Sequence, residues 1–162
     1  MTFEEFLNQR LTPLLRYATV LTCDPAQAQD LVQDVLERAQ RKWARIGRMD
    51  LPAAYVKRMV TNEFLSWRRR RADLAVPVTT LDALTPPLAD PTALVDQRAA
   101  LLDGIARLPR KQRAAVVLRY YEGLDDTEIA TELGCSPGTV RSHISRGVAT
   151  LRAAILTEEA YR

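Results

Sequence analysis

The sequence contains few of the residues that form covalent or metal cross-links. Among its 162 residues there are only two cysteines, Cys23 and Cys135, and one histidine, His143. Two cysteines are too few for a disulfide framework, and they favour a reducing compartment. A zinc site would need more ligands than Cys135 and His143 supply, so the sequence indicates no metal site and no cofactor.

Long apolar runs and strand patterns are also missing. No apolar run approaches the roughly 20 residues of a membrane span, so we expect no membrane insertion. The first five residues lack the basic start and apolar core of a secretory signal, which predicts a cytoplasmic protein. Only six glycines and three phenylalanines are present, and alanine, leucine and arginine are common. This composition, without any alternating strand pattern, predicts an all-α protein.

Charge is spread unevenly along the chain. Residues 1–71 carry 13 basic and 8 acidic side chains, and residues 98–162 carry 10 basic and 8 acidic ones. Residues 72–97 carry four acidic side chains and no basic one, and prolines break the helical periodicity over residues 72–90. The pattern predicts two small helical domains, 1–71 and 98–162, joined by a proline-containing acidic linker, 72–97.

Capping signals predict where the helices of the first domain begin. The predicted starts are Thr2 with Glu5, Asp24 followed by Pro25, and Asp50 followed by Leu51 and Pro52. Pro13 is expected to kink or split the first helix, because proline lacks the N–H that a helix interior needs. The second helix is expected to continue to about Ile46. Periodicity places Leu11 and Trp43 on inward-facing stripes.

A helix, a tight turn and a second helix are predicted from Asp125 onward. Asp125 with Glu128 forms a capping box, and Gly134 supplies the left-handed residue that ends the helix. Ser136 then caps the second helix, with Pro137 at its first position. Val140, Ile144, Val148 and Leu151 recur at helical spacing and are expected to face inward.

The other face of that second helix is polar and basic. Its candidate DNA-contacting residues are Ser136, Thr139, Arg141, Ser142, His143 and Arg146. A short outward row of hydroxyls and arginines is what reading of the major groove requires. The alternative is a helical hairpin that never contacts DNA.

A second basic segment combines arginines with aromatic residues and an amide. Its candidate nucleic-acid contacts are Lys57, Arg58, Asn62, Trp67, Arg68, Arg69, Arg70 and Arg71. Arginine neutralises phosphate, an aromatic ring stacks on an unpaired base, and an amide hydrogen-bonds a base edge. A solvated helix end whose arginines complement the helix dipole is the alternative interpretation.

An acidic helix face is predicted between residues 30 and 39. Asp30, Asp34 and Glu37 are four and three residues apart, so they share one face. We interpret this face first as a docking surface for a basic partner helix and second as a solvated surface. A divalent-cation site is the third interpretation, because no histidine or glycine-rich loop converges on the carboxylates.

Together these motifs resemble the sigma-factor family of bacterial RNA polymerase, and most closely the short actinobacterial type of its extracytoplasmic-function group. The likeness covers nearly the whole chain. Its marks are Asp30–Val35, the basic helix Tyr55–Trp67 with its arginine tail, Leu108–Arg113, and the pattern from Gly123 to Leu151. The last segment alone would also suit regulators of the LuxR type.

The resemblance implies partners and a division of roles. In this family the first domain binds the polymerase clamp, which would place Asp30, Gln33, Asp34 and Glu37 against it. The basic helix would open the −10 element and hold a flipped base, with Asn62 near that base and Arg68–Arg71 on the backbone. The second domain would read the −35 element and meet the flap, the linker would pass through the active-site cleft, and an anti-sigma factor is a further possible partner.

Two other functions remain open from the residues alone. One is a free-standing helix-turn-helix transcriptional regulator that needs no polymerase, although the first domain lacks the phosphoacceptor pocket of a response regulator. The other is a metal-dependent nuclease using Asp30, Asp34 and Glu37, for which the chain offers no nucleophile activator. The resemblance favours a non-enzymatic subunit.

Overall fold

The computed structural model describes residues 1–66 and 91–160, with the side chains of residues 91–97, 158 and 159 excepted. Over these two ranges the regular structure is helical and contains no strand, which confirms the all-α prediction. The chain divides into two compact units, Met1–Ala72 and Asp73–Arg162. The first 19 residues of the predicted linker lie outside the described residues.

The helices of the first unit are α1 Phe3–Thr22, α2 Pro25–Arg41, α3 Trp43–Ile46 and α4 Pro52–Ser66. Those of the second unit are α5 Pro91–Arg107, α6 Arg110–Tyr120, α7 Asp126–Leu133 and α8 Pro137–Ala160. No helix within the described ranges combines the length and the apolarity that crossing a membrane requires.

Local caps start the first two helices where the sequence predicts. The Thr2 hydroxyl accepts a hydrogen bond from the Glu5 amide at 3.2 Å, and the Glu5 carboxylate accepts one from the Thr2 amide at 2.7 Å. The Asp24 carboxylate accepts from the amides of Ala26 and Gln27 at 2.9 and 3.3 Å. Both caps satisfy amides that have no partner inside the helix.

Pro13 does not split the first helix. α1 runs without a break from Phe3 to Thr22, so that part of the prediction is wrong. Pro13 and Gln9 are both exposed, and water can therefore reach the Gln9 carbonyl that the missing N–H leaves without its helical partner. Leu14 and Tyr17 are buried directly after the proline, and their packing holds the following turn in place.

The core of the first unit lies between α1, α2 and α4. Its largest fully buried side chains are Phe6, Tyr17, Leu21, Leu31, Val32, Val35, Ile46, Val56 and Val60. α2 ends at Arg41 rather than near Ile46, because Lys42 leaves the helical backbone conformation. Trp43 then packs its ring 5.3 Å from that of Phe3 and 4.9 Å from that of Phe6, and its indole N–H donates to the Met1 carbonyl at 3.1 Å.

In the second unit the predicted helix-turn-helix signals are all in place. The Asp125 carboxylate accepts from the Glu128 amide at 2.8 Å, and the Glu128 carboxylate accepts from the Asp125 amide at 2.9 Å. Gly134 ends α7 with a φ of 67°, a left-handed conformation that suits glycine. The Ser136 hydroxyl accepts from the Thr139 amide at 3.2 Å at the start of α8.

Three features hold α5, α6 and α8 together. Leu108, Val116 and Leu151 form a buried apolar cluster. Gly147 allows α8 to approach α6 closely, since a β-carbon there would lie 2.9 Å from Val116 Cγ2. Arg113 donates to the carbonyls of Ala106 and Leu108 at 2.7 and 3.2 Å, which satisfies carbonyls at the end of α5.

Candidate nucleic-acid and docking surfaces

The start of α8 presents most of the residues predicted to contact DNA. Thr139, Arg141, Ser142 and Arg146 are all exposed. Thr139, Ser142 and Arg146 follow one another at three- and four-residue spacing, so they share one face of the helix. Ser136 is exposed too, but its hydroxyl is already the acceptor of the helix cap. The surface formed by these five residues is called the recognition face below.

His143 does not lie on the recognition face as an outward side chain. Its ring is half-buried, and its Nδ1 atom is shielded from solvent without a hydrogen-bond partner in the structure. Burial lowers the pKa of His143, and the positive charges of Lys111 and Arg146 lower that pKa further. The prediction that His143 points outward is therefore wrong, because the ring takes an inward position four residues before Gly147 on the same side of α8.

We expect His143 to make the stability of the second unit depend on pH. The pKa is lower in the fold than the value of about 6.5 in an unfolded chain, so the unfolded chain takes up the proton first as pH falls. The stability that neutral His143 contributes to the fold is fully present above about pH 6.5. It declines as pH falls below that value, and the decline ends once pH is below the pKa of His143 in the folded protein.

Urea unfolding at about pH 7.5 and about pH 5.5 measures this effect. The decline in the unfolding midpoint should be smaller in His143→Gln than in the wild type. Ser142→Gln, at the exposed neighbouring position, is the matched control and should decline as the wild type does. An equal decline in all three proteins would contradict the assignment.

Arg141 is exposed but has an acidic partner. Its Nη1 atom lies 3.4 Å from Asp126 Oδ2, and Asp126 Oδ1 in turn accepts a hydrogen bond from Arg119. Asp126 is the first residue of α7, and Arg119 lies near the end of α6. The three side chains therefore connect all three helices that surround the recognition face.

The basic helix α4 is only partly available to a ligand. Arg58 and Asn62 are exposed and four residues apart, so they share a face. Lys57 is half-buried, and its ammonium group lies 5.3 Å from the centre of the Tyr17 ring. Trp67 and Arg68–Arg71, predicted to contact the same DNA, lie outside the described residues.

A buried hydrogen bond and an ion pair fix α4 to its neighbours. The hydroxyls of Tyr17 and Thr61 lie 2.6 Å apart inside the core. Arg38 of α2 donates to the Glu63 carboxylate of α4 at 2.5 Å. Glu63 directly follows Asn62, so Arg38 neutralises the carboxylate that would otherwise repel a phosphate near Asn62.

The acidic face of α2 lies at the protein surface. Gln33, Asp34 and Glu37 are exposed and Asp30 is half-buried. Gln33 donates to the Glu37 carboxylate at 3.3 Å. Among residues 1–66 and 91–160, no group of three or more histidine, cysteine, aspartate or glutamate side chains is arranged to hold a metal ion.

An apolar groove of about 410 Å³ runs beside this acidic face, between α1 and α2. Its apolar lining is Phe3, Leu7, Leu11, Leu15, Val32 and Leu36, and its polar lining is Gln29, Gln33, Glu37 and Gln40. Leu11 was expected to face the core, but 39% of its surface is exposed. We call this feature the α1–α2 groove.

Sequence reasoning missed the groove because it read α1 as having one apolar stripe. Leu7, Leu11 and Leu15 are spaced by four residues and line the groove, whereas Phe6, Leu14 and Tyr17 lie on the buried side. The sequence does carry a signal for the groove: the apolar residues of α1 cover a wider part of the helix surface than one core-facing stripe requires. An apolar groove rimmed by polar residues is typical of a protein-binding site.

Comparison with known proteins identifies the family. The sequence profile described as Sigma-70 region 2 matches residues 6–73, and the one described as Sigma-70, region 4 matches residues 98–151. The chain belongs to the sigma-70 family. The RNA polymerase sigma-E factor of Streptomyces coelicolor is 38% identical over 159 residues, which cover 98% of this chain and 89% of that protein.

Two further relatives agree with this family assignment. The ECF RNA polymerase sigma factor SigL of Mycobacterium tuberculosis is 36% identical over 149 residues, covering 90% of this chain and 84% of that protein. The solved sigma factor RpoE of Bartonella quintana, in complex with the anti-sigma factor NepR, superposes with a TM-score of 0.67 at 26% identity. That alignment covers 94% of this sigma factor and 96% of the solved chain. The protein is thus a sigma factor of the extracytoplasmic-function group, acting in promoter-specific transcription initiation.

Proposed function

We propose that the first unit of this sigma factor docks on core RNA polymerase through α2 and the α1–α2 groove. The observation that carries the proposal is that Gln33 and Glu37 are exposed and line an apolar groove, with Asp34 exposed next to Gln33 on the same helix. A partner helix with basic and apolar side chains could bury its apolar residues in the groove and pair its basic side chains with the carboxylates of Asp34 and Glu37. Asp30, half-buried on the same helix, belongs to the edge of this surface.

The two DNA contacts are assigned to different units. Arg58 and Asn62 on the exposed part of α4 face the −10 element, and Lys57, Trp67 and Arg68–Arg71 complete that contact. The recognition face of α8 reads the −35 element from the major groove, which fits its exposed hydroxyls and arginines. The segment between residues 72 and 97 connects these domains, and its residues 91–97 already form the beginning of α5.

We also propose that the protein acts in the cytoplasm, without a catalytic site of its own, and that an anti-sigma factor controls it. A solved relative superposes on the chain while bound to an anti-sigma factor, which supports this last partner. Most of the affinity for promoter DNA would come from the polymerase, since linked binding sites reinforce one another. A modest net charge of +3 is sufficient for such a subunit.

Run-off transcription on fragmented genomic DNA tests the proposed function. Core polymerase with the chain should give discrete transcripts from a few fragments, and core polymerase alone should not. If no transcript appears, while the free chain binds duplex DNA tightly and selectively, the protein is a free-standing helix-turn-helix regulator. Metal-dependent DNA cleavage by the pure chain would instead support the nuclease.

Leu11→Asp is expected to weaken polymerase binding by about 10-fold or more, because it places a charge in the apolar α1–α2 groove. Leu11 is 39% exposed and lies inside α1, so the free energy of unfolding should fall by about 1 kcal/mol, from lost apolar burial and lower helix propensity. Leu51→Asp is the matched control, since Leu51 is 71% exposed and does not line the groove. Fluorescence titration with labelled core enzyme measures both variants, and equal affinities would contradict the role of the groove.

A further inference from the structure

Asp126 is an acidic side chain placed beside the recognition face. Its carboxylate pairs with Arg119 through Oδ1 and with Arg141 through Oδ2. Arg119, Arg141 and Arg152 also line one shallow pocket with Asp126, between α6 and α8. A carboxylate in this position opposes phosphate binding, so its presence calls for a physical explanation.

The two ion pairs of Asp126 differ in solvent exposure. Arg119 approaches Asp126 closely, and about two-thirds of each of these two side chains is buried. The Arg141 nitrogen lies farther away, at 3.4 Å, and 65% of the Arg141 side chain is exposed. The first pair therefore anchors the carboxylate, and the second leaves Arg141 able to exchange its partner.

We propose that Asp126 is a positioning residue that restrains Arg141 and so sets the sequence selectivity of the recognition face. The inference depends on the proposed contact between Arg141 and −35 DNA. A restrained guanidinium donates in a limited range of directions and must give up a carboxylate before it binds a phosphate elsewhere. On the correct sequence, the other contacts of α8 compensate for the loss of the Asp126–Arg141 ion pair. A random phosphate contact offers no such compensation.

Removing the Asp126 carboxylate should therefore raise the affinity of the chain for duplex DNA and lower its sequence selectivity. In Asp126→Asn, Arg141 is free to bind any nearby phosphate. We expect affinity for a scrambled duplex to rise about 3- to 10-fold, with the slope of log K against log salt steeper by about one. Affinity for the specific duplex should rise less, so the ratio of specific to non-specific affinity falls.

The test uses the full-length chain and two labelled duplexes in fluorescence anisotropy over a range of salt concentrations. One duplex is the sequence that the wild-type chain enriches from a random pool, and the other is its scrambled version. The variants are Asp126→Asn, Asp126→Glu, Arg141→Gln and the double variant Asp126→Asn with Arg141→Gln. Asp103→Asn on α5 is the control, because it removes the same charge from the same unit outside this cluster.

The double-mutant cycle decides whether Asp126 acts through Arg141. The proposal expects Asp126→Asn to lose selectivity, Asp126→Glu to restore it, and Asp126→Asn to have no further effect once Arg141 is glutamine. The proposal would be overturned if Asp126→Asn had the same effect with Arg141 as with glutamine at that position, or if Asp103→Asn had the same effect as Asp126→Asn. Either result would show that selectivity changes only because the net charge of the second unit changes.

Two further results distinguish failure of this inference from failure of the assigned −35 contact. If Arg141→Gln weakens specific binding but Asp126→Asn changes nothing, the inference is wrong while the assigned −35 contact stands. If Arg141→Gln changes binding to neither duplex, the assigned −35 contact of Arg141 fails, and this inference fails with it. If thermal unfolding shows that Asp126→Asn does not fold, Asp126→Ser takes its place in the cycle.

Discussion

Asp34→Arg is expected to lower the affinity of the chain for core RNA polymerase by about 100-fold or more. Asp34 is exposed at the middle of the acidic face of α2, next to Gln33, which lines the α1–α2 groove. Reversing its charge removes an attraction for a basic partner helix and adds a repulsion at the same point. Because Asp34 is exposed in the free protein, we expect the free energy of unfolding to change by no more than about 0.5 kcal/mol.

Size-exclusion co-elution and a fluorescence titration with core enzyme measure this loss. Asp50→Arg is the matched control, because Asp50 is another exposed aspartate of the same unit and lies outside α2. Binding of the chain to duplex DNA should be unchanged in both variants. Full retention of polymerase binding by Asp34→Arg would show that α2 is not the docking surface.

Gly147→Ala is expected to destabilise the second unit by about 1–3 kcal/mol, although alanine is the better helix former. The added β-carbon would lie 2.9 Å from Val116 Cγ2 and 3.6 Å from Leu108 Cδ1, both in the buried cluster. Valine has few alternative rotamers, so α6 and α8 must move apart to relieve the contact. A loss of this size is a large part of the 5–15 kcal/mol that stabilises a typical domain.

Gly138→Ala, at the start of the same helix, is the matched control. Its β-carbon would meet nothing closer than Arg141 Nη2 at 3.7 Å, an ordinary contact. This variant should be neutral or more stable by up to about 1 kcal/mol. Hydrogen exchange of the α6 and α8 amides, measured over a range of urea concentrations, shows whether the loss of stability lies in the second unit. Equal stability of both variants would contradict the close packing described here.

Helix starts and ends could be predicted because their causes are local. The capping boxes at Thr2 and Asp125, the cap at Asp24 and the left-handed Gly134 each depend on a few consecutive residues, and each is confirmed. What failed depended on residues distant in sequence. α1 continues past Pro13 because Leu14 and Tyr17 pack in the core, and that packing cannot be read from the proline alone.

In the candidate sites, too, exposure that follows from local periodicity could be predicted, whereas contacts between residues distant in sequence could not. Exposure of Asp34, Asn62 and Arg141 follows from helical periodicity, and the structure places all three on surfaces. His143 is half-buried with its Nδ1 atom shielded from solvent, which depends on tertiary packing that the periodicity of α8 does not give. The pairing of Arg141 with Asp126 spans 15 residues and requires the actual angle between α7 and α8. The DNA and polymerase contacts themselves stay predictions.

Hydroxyl-radical footprinting tests whether polymerase docking by the first unit and duplex reading by the second are separate tasks. The DNA is a promoter recovered by the run-off assay, and the footprint is compared with and without core polymerase. At a chain concentration too low for the free chain to protect duplex DNA, the account predicts two separate protected segments, near −35 and −10, that require polymerase, with the −35 segment lost in Arg141→Gln. One continuous footprint that the chain produces equally well without polymerase would contradict it.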